Sequence, residues 1–190
     1  MRILIQTAQP TPSRSSSIRP TFLLLALVLL CATERAEAQS AEIRCMVTEN
    51  GAPARGTVVV EQSGQEVGGG SCGAAISVPA GKCKVTVRLD GALDNPSKSI
   101  EVQAKAGKTS PVSVDFQTGV LEVRIEAKGP RGTGIVIVNR GSRRIGTLGS
   151  GVAARLSTGK YQVVVRLGGE ERRYDVDLHA GQRRLLRAQF

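Results

Sequence analysis

The chain has no tryptophan, only two tyrosines and three phenylalanines, and a single histidine among its 190 residues. Each shortage removes a class of function. Proteins that read single-stranded or looped nucleic acid stack bases on aromatic rings. The basic half of this chain offers only Tyr161, Tyr174 and Phe190 for that purpose, so specific nucleic-acid recognition is not expected. His179 precedes a turn at Ala180-Gly181 and no nucleophile-elbow motif accompanies it, so no Ser/His/Asp set can be assembled. Asp175 and Asp177 alternate outward from Val176 and Leu178 and do not form an inward carboxylate pair. Cysteines are also few. Cys31, Cys45, Cys72 and Cys83, with the lone histidine, do not have the spacing of a four-ligand zinc site. Gly68-Gly69-Gly70-Ser71 and Gly149-Ser150-Gly151 are glycine-rich, but neither opens a helix, so neither is a phosphate cradle. No metal, cofactor or enzymatic activity is expected.

Long apolar runs are missing beyond the first residues. The unbroken run Phe22 to Ala32 follows Arg2, Arg14 and Arg19, and Ala36-Glu37-Ala38 supplies small residues where a signal peptidase reads. That order predicts a signal peptide over 1–38 with cleavage before Gln39. The run is shorter than the roughly 20 residues a spanning helix needs. The mature chain is therefore expected to be exported, periplasmic or secreted, with no transmembrane span. It would keep Cys45, Cys72 and Cys83, an odd number. One disulfide and one free thiol is the expected arithmetic in an oxidising compartment.

What the chain does have is a statement made twice. Val78-Pro79-Ala80-Gly81-Lys82-Cys83-Lys84-Val85-Thr86-Val87-Arg88-Leu89 returns as Leu156-Ser157-Thr158-Gly159-Lys160-Tyr161-Gln162-Val163-Val164-Val165-Arg166-Leu167. Each is an apolar end, a Gly-Lys turn and a strand of period two, which places Val85, Val87 and Leu89, or Val163, Val165 and Leu167, on one face. Sliding residues 43–91 by 78 positions lays them on 121–169 without a gap. Gly51, Gly56, Gly68, Gly73, Gly81 and Gly91 then fall on Gly129, Gly134, Gly146, Gly151, Gly159 and Gly169. After a four-residue deletion the offset becomes 74, and Val102 and Phe116 meet Val176 and Phe190. Glycines recurring in register mean turns recurring in register. The reading is all-β: two tandem antiparallel β-sandwich domains, 39–117 and 118–190, each of six or seven short strands. Gly68-Gly69-Gly70 reads as a flexible loop.

This pattern resembles the bacterial PEGA-like and carboxypeptidase-regulatory-like modules, a transthyretin-like (prealbumin-like) or Ig-like group. Gly159-Lys160-Tyr161-Gln162-Val163-Val164-Val165 carries the resemblance, and Gly81-Lys82-Cys83-Lys84-Val85 repeats it with Cys83 for the aromatic. The resemblance implies an accessory, non-catalytic module with no shared active site. Cys45 and Cys83 align with Val123 and Tyr161, both inward positions. A bridge between Cys45 and Cys83 is the expected pairing, with Cys45–Cys72 and unpaired packing as the alternatives.

Charge is uneven. Residues 41–116 hold eight basic and eight acidic residues, whereas 119–190 hold fourteen and six. The excess gathers as Arg140, Arg143 and Arg144 around Gly141-Ser142, as Arg172 and Arg173, and as Arg183, Arg184 and Arg187 around the last strand. Arginine forks suit phosphate, sulfate and carboxylate groups. The expected function is an exported binding or accessory module whose basic second domain contacts an anionic envelope polymer or an acidic protein. Docking on a protein through exposed strand edges is the rival. A hydrolase or protease inhibitor is disfavoured for want of a catalytic set or reactive loop.

Overall fold

The computed structural model describes residues 39–128 and 134–190. The predicted signal peptide lies outside the described residues. Residues Ala38–Phe190 form one compact unit. Its strands are β1 (Ser40–Glu49), β2 (Ala52–Pro53), β3 (Gly56–Gln62), β4 (Gln65–Ser71), β5 (Ala75–Pro79), β6 (Gly81–Leu89), β7 (Ser97–Ala104) and β8 (Thr109–Phe116). The series continues with β9 (Thr118–Glu126), β10 (Ile135–Arg140), β11 (Arg143–Leu148), β12 (Ala153–Ser157), β13 (Gly159–Leu167), β14 (Glu170–Leu178) and β15 (Arg183–Gln189). The two halves follow one plan. β6 and β13 are displaced by 78 residues, as are β5 and β12.

In the first half one sheet has the order β4-β3-β6-β7, and the other is built on β1, which pairs with β2, β5 and β8. In the second half β11-β10-β13-β14 faces β12-β9-β15. Alternation decides what lies between. Ile43, Cys45 and Val47 of β1 and Cys83, Val85, Val87 and Leu89 of β6 are buried in the first core. Leu121 and Val123 of β9 and Tyr161, Val163 and Val165 of β13 fill the second.

The sheets are not wholly antiparallel. β1 pairs with β8 in parallel, and β9 with β15 likewise. A parallel neighbour needs a long connection between the paired strands. Here that connection is the remainder of each sandwich, so the first and last strands lie side by side.

Turn chemistry fixes the hairpins. Asn50 and Gly51 are the whole loop between β1 and β2 and both have positive φ, 52° and 82°, the geometry that matches the twist of the flanking strands. Gly81 and Gly159 open β6 and β13 at φ 145° and 130°. A Cβ at Gly159 would lie 2.8 Å from the Arg140 guanidinium, and one at Gly81 would collide with the Gln62 amide. Gln62 and Arg140 therefore occupy the same place, each lying over the glycine.

The Gly68-Gly69-Gly70 stretch, read from sequence as a flexible loop, is strand: it pairs with Val60, Val59 and Val58 of β3. Close packing selects the first two of these glycines. A Cβ on Gly68 would stand 2.9 Å from Ile76 Cγ2, and one on Gly69 3.1 Å from the Val58 carbonyl oxygen.

The expected Cys45–Cys83 bridge is not the one formed. Cys45 is bonded to Cys72, with Cα atoms 4.7 Å apart, and Cys83 is a buried free thiol. Alignment placed Cys45 and Cys83 inward on opposite sheets, but a disulfide needs Cα atoms within about 7 Å, and it is Cys72 whose backbone comes that close to Cys45. The turn after β4 instead runs beside β1. Its Cys72 N–H donates to the Gly56 carbonyl and its Gly73 N–H to the Cys45 carbonyl, both at 2.8 Å. Burial pushes the Cys83 thiol above its ordinary value, which keeps it in the unreactive protonated form. Peptide mapping without reduction should recover a Cys45–Cys72 peptide and an alkylatable Cys83 only after unfolding. Replacing Cys45 and Cys72 by alanine should lower unfolding stability by about 2–4 kcal/mol in denaturant titration.

Candidate functional site

Only Gln117 stands between β8 and β9, so the end of one sandwich meets the beginning of the next. The Asn50 side chain grips that passage in both directions. Its amide donates to the Thr118 carbonyl at 3.0 Å, and its oxygen accepts from the Thr118 N–H at 2.9 Å. The buried Thr118 hydroxyl donates to Glu49. The other Glu49 oxygen receives Arg155 of β12 at 2.5 Å, and Arg155 also donates to the Asp90 carbonyl at 2.6 Å.

The loop from Gly91 to Pro96 completes the junction from the first half. Leu93 N–H donates to the Arg155 carbonyl at 2.8 Å, and the Leu93 side chain packs into the second core. Gly146 leaves room for it: a Cβ there would lie 2.7 Å from Leu93 Cδ1. Asp94, whose side chain is 3% exposed, accepts the Ser157 N–H at 3.2 Å and the Tyr161 hydroxyl at 3.3 Å. The single Tyr161 proton is shared, its shorter bond going to the Ser157 carbonyl at 2.7 Å. Arg140 closes the set. It lies 3.8 Å from Asp94, donates to the Thr158 carbonyl at 2.8 Å and covers the Tyr161 ring at 5.3 Å.

Beside this junction opens a cleft of about 580 Å³. Its cationic lining is Lys98 from β7 with Arg140 and Arg143 from the β10–β11 hairpin; among the described lining residues Asp94 supplies the carboxylate, and the Asp115 carboxylate acts on Lys98 from beside it.

The eight arginines singled out in the sequence are not gathered in one place. Arg140 and Arg143 face each other across the hairpin, and the Arg144 guanidinium donates to the Thr147 hydroxyl at 2.6 Å. Arg172 and Arg173 sit on β14, an edge strand of the other end of the same sheet, where Arg172 lies 3.9 Å from Glu170 and over the Phe190 ring, and Arg173 pairs with Glu171 at 2.8 Å. On β15, Arg183 bonds Glu122 at 2.7 Å and Arg187 bonds Glu126 at 3.0 Å, while Arg184 has no ion-pair partner among the described residues. Hydrogen bonds from Arg183 and Arg124 hold the Glu122 carboxyl below its usual range, and those from Arg166 and Arg173 do the same for Glu171. Sequence reasoning missed Asp94 and Lys98, which lie in the half with no net charge. The available signal was the four-residue insertion that distinguishes the 91–96 loop from its counterpart.

No protein-family model matches the chain, and no curated protein does. Among solved structures it is similar to the TIE protein of Bacillus anthracis, at 14% identity and a TM-score of 0.34 over 80% of this chain and 33% of that one. The chain thus spans a third of the length of that protein. A candidate cell adhesion protein from Bacteroides ovatus gives 11% identity and 0.36 over 78% and 91% of the two chains. A candidate adhesin from the same organism gives 10% and 0.39 over 82% and 93%. At these scores the likenesses carry no argument about function, and the β-sandwich assignment rests on the strand pairing itself.

Burial, then the nearby Asp94 charge, pushes the Tyr161 phenol up to about 12. A raised phenol favours the folded state while the unfolded chain is neutral, below the ordinary value near 10, and that contribution falls away as the pH climbs from there toward 12. Spectrophotometric titration should show a tyrosine ionising near 12 that disappears in Tyr161→Phe. In Asp94→Asn the same ionisation should move down while remaining above 10, because burial persists.

Proposed function

We propose that the protein is an exported, non-enzymatic binding or accessory module, akin to PEGA-like modules, whose basic second half contacts an anionic envelope component or an acidic protein. One observation carries this reading. Arg140, Arg172, Arg173, Arg183 and Arg187 each have a carboxylate close by, whereas Arg143, Arg144 and Arg184 have none among the described residues. The paired arginines brace the β-sheets. The other three carry exposed charge that no described carboxylate neutralises, and their counterparts in the first half are Gln65, Glu66 and Ser110.

A second reading has its own observation. β15 is an edge strand that leaves Leu185 38% exposed, and an unpaired edge can receive a partner's strand.

A pull-down from envelope extract with the protein and with its Arg143→Ser/Arg144→Ser/Arg184→Ser variant separates the two. The charge reading expects a partner retained by the parent, lost in the variant and released as salt is raised, since exposed charges are screened beyond about 8 Å at physiological ionic strength. Equal recovery by parent and variant would overturn it in favour of the strand edge.

A further inference from the structure

We propose that the cleft at the junction of the two halves is a subsite for an acidic sugar, a ring bearing a carboxylate beside free hydroxyls. The proposal rests on the anionic-partner reading above and gives it a place and a chemistry.

The charge pattern comes first. Arg140 and Arg143 are directly opposed on β10 and β11. Like charges in that position repel. The hairpin itself does not call for them, because its counterpart in the first half pairs Gln62 with Gln65. Asp94 relieves only one side. It approaches Arg140 at 3.8 Å, it is nearly closed off from solvent, and its oxygens already accept from Ser157 and Tyr161. The Arg143 fork has no partner among the described residues. Across the cleft, Lys98 donates to the Asp115 carbonyl at 2.6 Å, and an ammonium has three hydrogens to give. Three cations thus share a cleft with the withdrawn Asp94 carboxylate. The Asp115 carboxylate near Lys98 is already engaged by Thr48, Gly51 and Gln117, so an oxyanion beside Arg143 would relieve what excess remains.

The remaining walls indicate what carries that oxyanion. Asn95, Ser97, Gln117 and Thr158 add amide and hydroxyl groups, which both donate and accept, as sugar hydroxyls require. The apolar lining is confined to Pro96 and Phe116, and Phe116 is buried. There is neither an apolar pocket for a peptide anchor nor an open ring on which a base could stack. At about 580 Å³ the cleft falls in the range of small-ligand sites.

The test is titration calorimetry of the intact protein with a short oligogalacturonate, its methyl-esterified form and inorganic polyphosphate. Binding of the free acid is expected, with roughly tenfold or greater weakening in Lys98→Ser/Arg143→Ser, about what one charged hydrogen bond contributes. The Lys105→Ser/Lys108→Ser pair, exposed and outside the cleft, should bind as the parent does, and the Arg144→Ser/Arg184→Ser pair is titrated beside it. Arg143→Ser alone, which removes an exposed side chain with no described partner, should show a smaller loss at an unchanged melting temperature. Equal binding of the methyl ester, or polyphosphate binding that the cleft variants do not weaken, would overturn the acidic-sugar site. Loss confined to the Arg144/Arg184 variant would overturn the cleft while leaving the anionic-partner reading in place. Absence of binding to both anions, together with an envelope partner insensitive to all the arginine changes, would overturn both.

Discussion

The single residue between β8 and β9 is the constraint from which the rest of the architecture follows. With only Gln117 as slack, the end of the first sandwich must lie against the start of the second, and every polar backbone group caught between them needs a partner. An unpaired buried donor or acceptor costs about 1–3 kcal/mol. Asn50 answers for Thr118, Glu49 and Arg155 for each other, and Asp94 for Ser157 and Tyr161. Leu93 adds an apolar contact inside the second core. The junction is therefore built from side chains of both halves.

The same geometry gives the arginines two roles. Arg183 and Arg187 link β15 to β9 through Glu122 and Glu126, whereas Arg172 and Arg173 pair with Glu170 and Glu171 of their own strand, and exposed pairs of this kind contribute little individually. Arg140 belongs to the junction, while Arg143, one hairpin step away, faces open space beside it. A recognition surface at this place would be held by the contacts that fix the two sandwiches, because Asp94 and Arg140 serve both.

The repeat made much of this legible in advance. Period-two alternation located β1, β6 and β13 and their buried faces, since a strand covered on one side must alternate. Recurring glycines located some turns, such as those at Gly73, Gly91, Gly151 and Gly169, whereas Gly56, Gly68 and Gly146 lie within strands. What could not be read was anything that depends on approach between distant segments. Gly68 to Gly70 read as a loop because the sequence does not reveal that Ile76 crowds Gly68 and the Val58 carbonyl crowds Gly69. Cys72 ranks below Cys83 as partner of Cys45 in the sequence because its loop's path beside β1 is set by hydrogen bonds to Gly56 and Cys45. The four extra residues before Ser97 showed as a gap in the repeat, but their insertion against Arg155 and Ser157 appears only in three dimensions.

The central claim is that the junction couples the two halves into one cooperative unit, and the chain supplies its own reporters. Both tyrosines lie in the second half, and the buried thiol of Cys83 lies in the first. Equilibrium denaturation followed in parallel by tyrosine fluorescence and by Cys83 labelling tests the claim most directly. Coincident midpoints and slopes are expected if the halves unfold together. A thiol that becomes reactive at a denaturant concentration where the tyrosine signal is still native, or the reverse order, would contradict it.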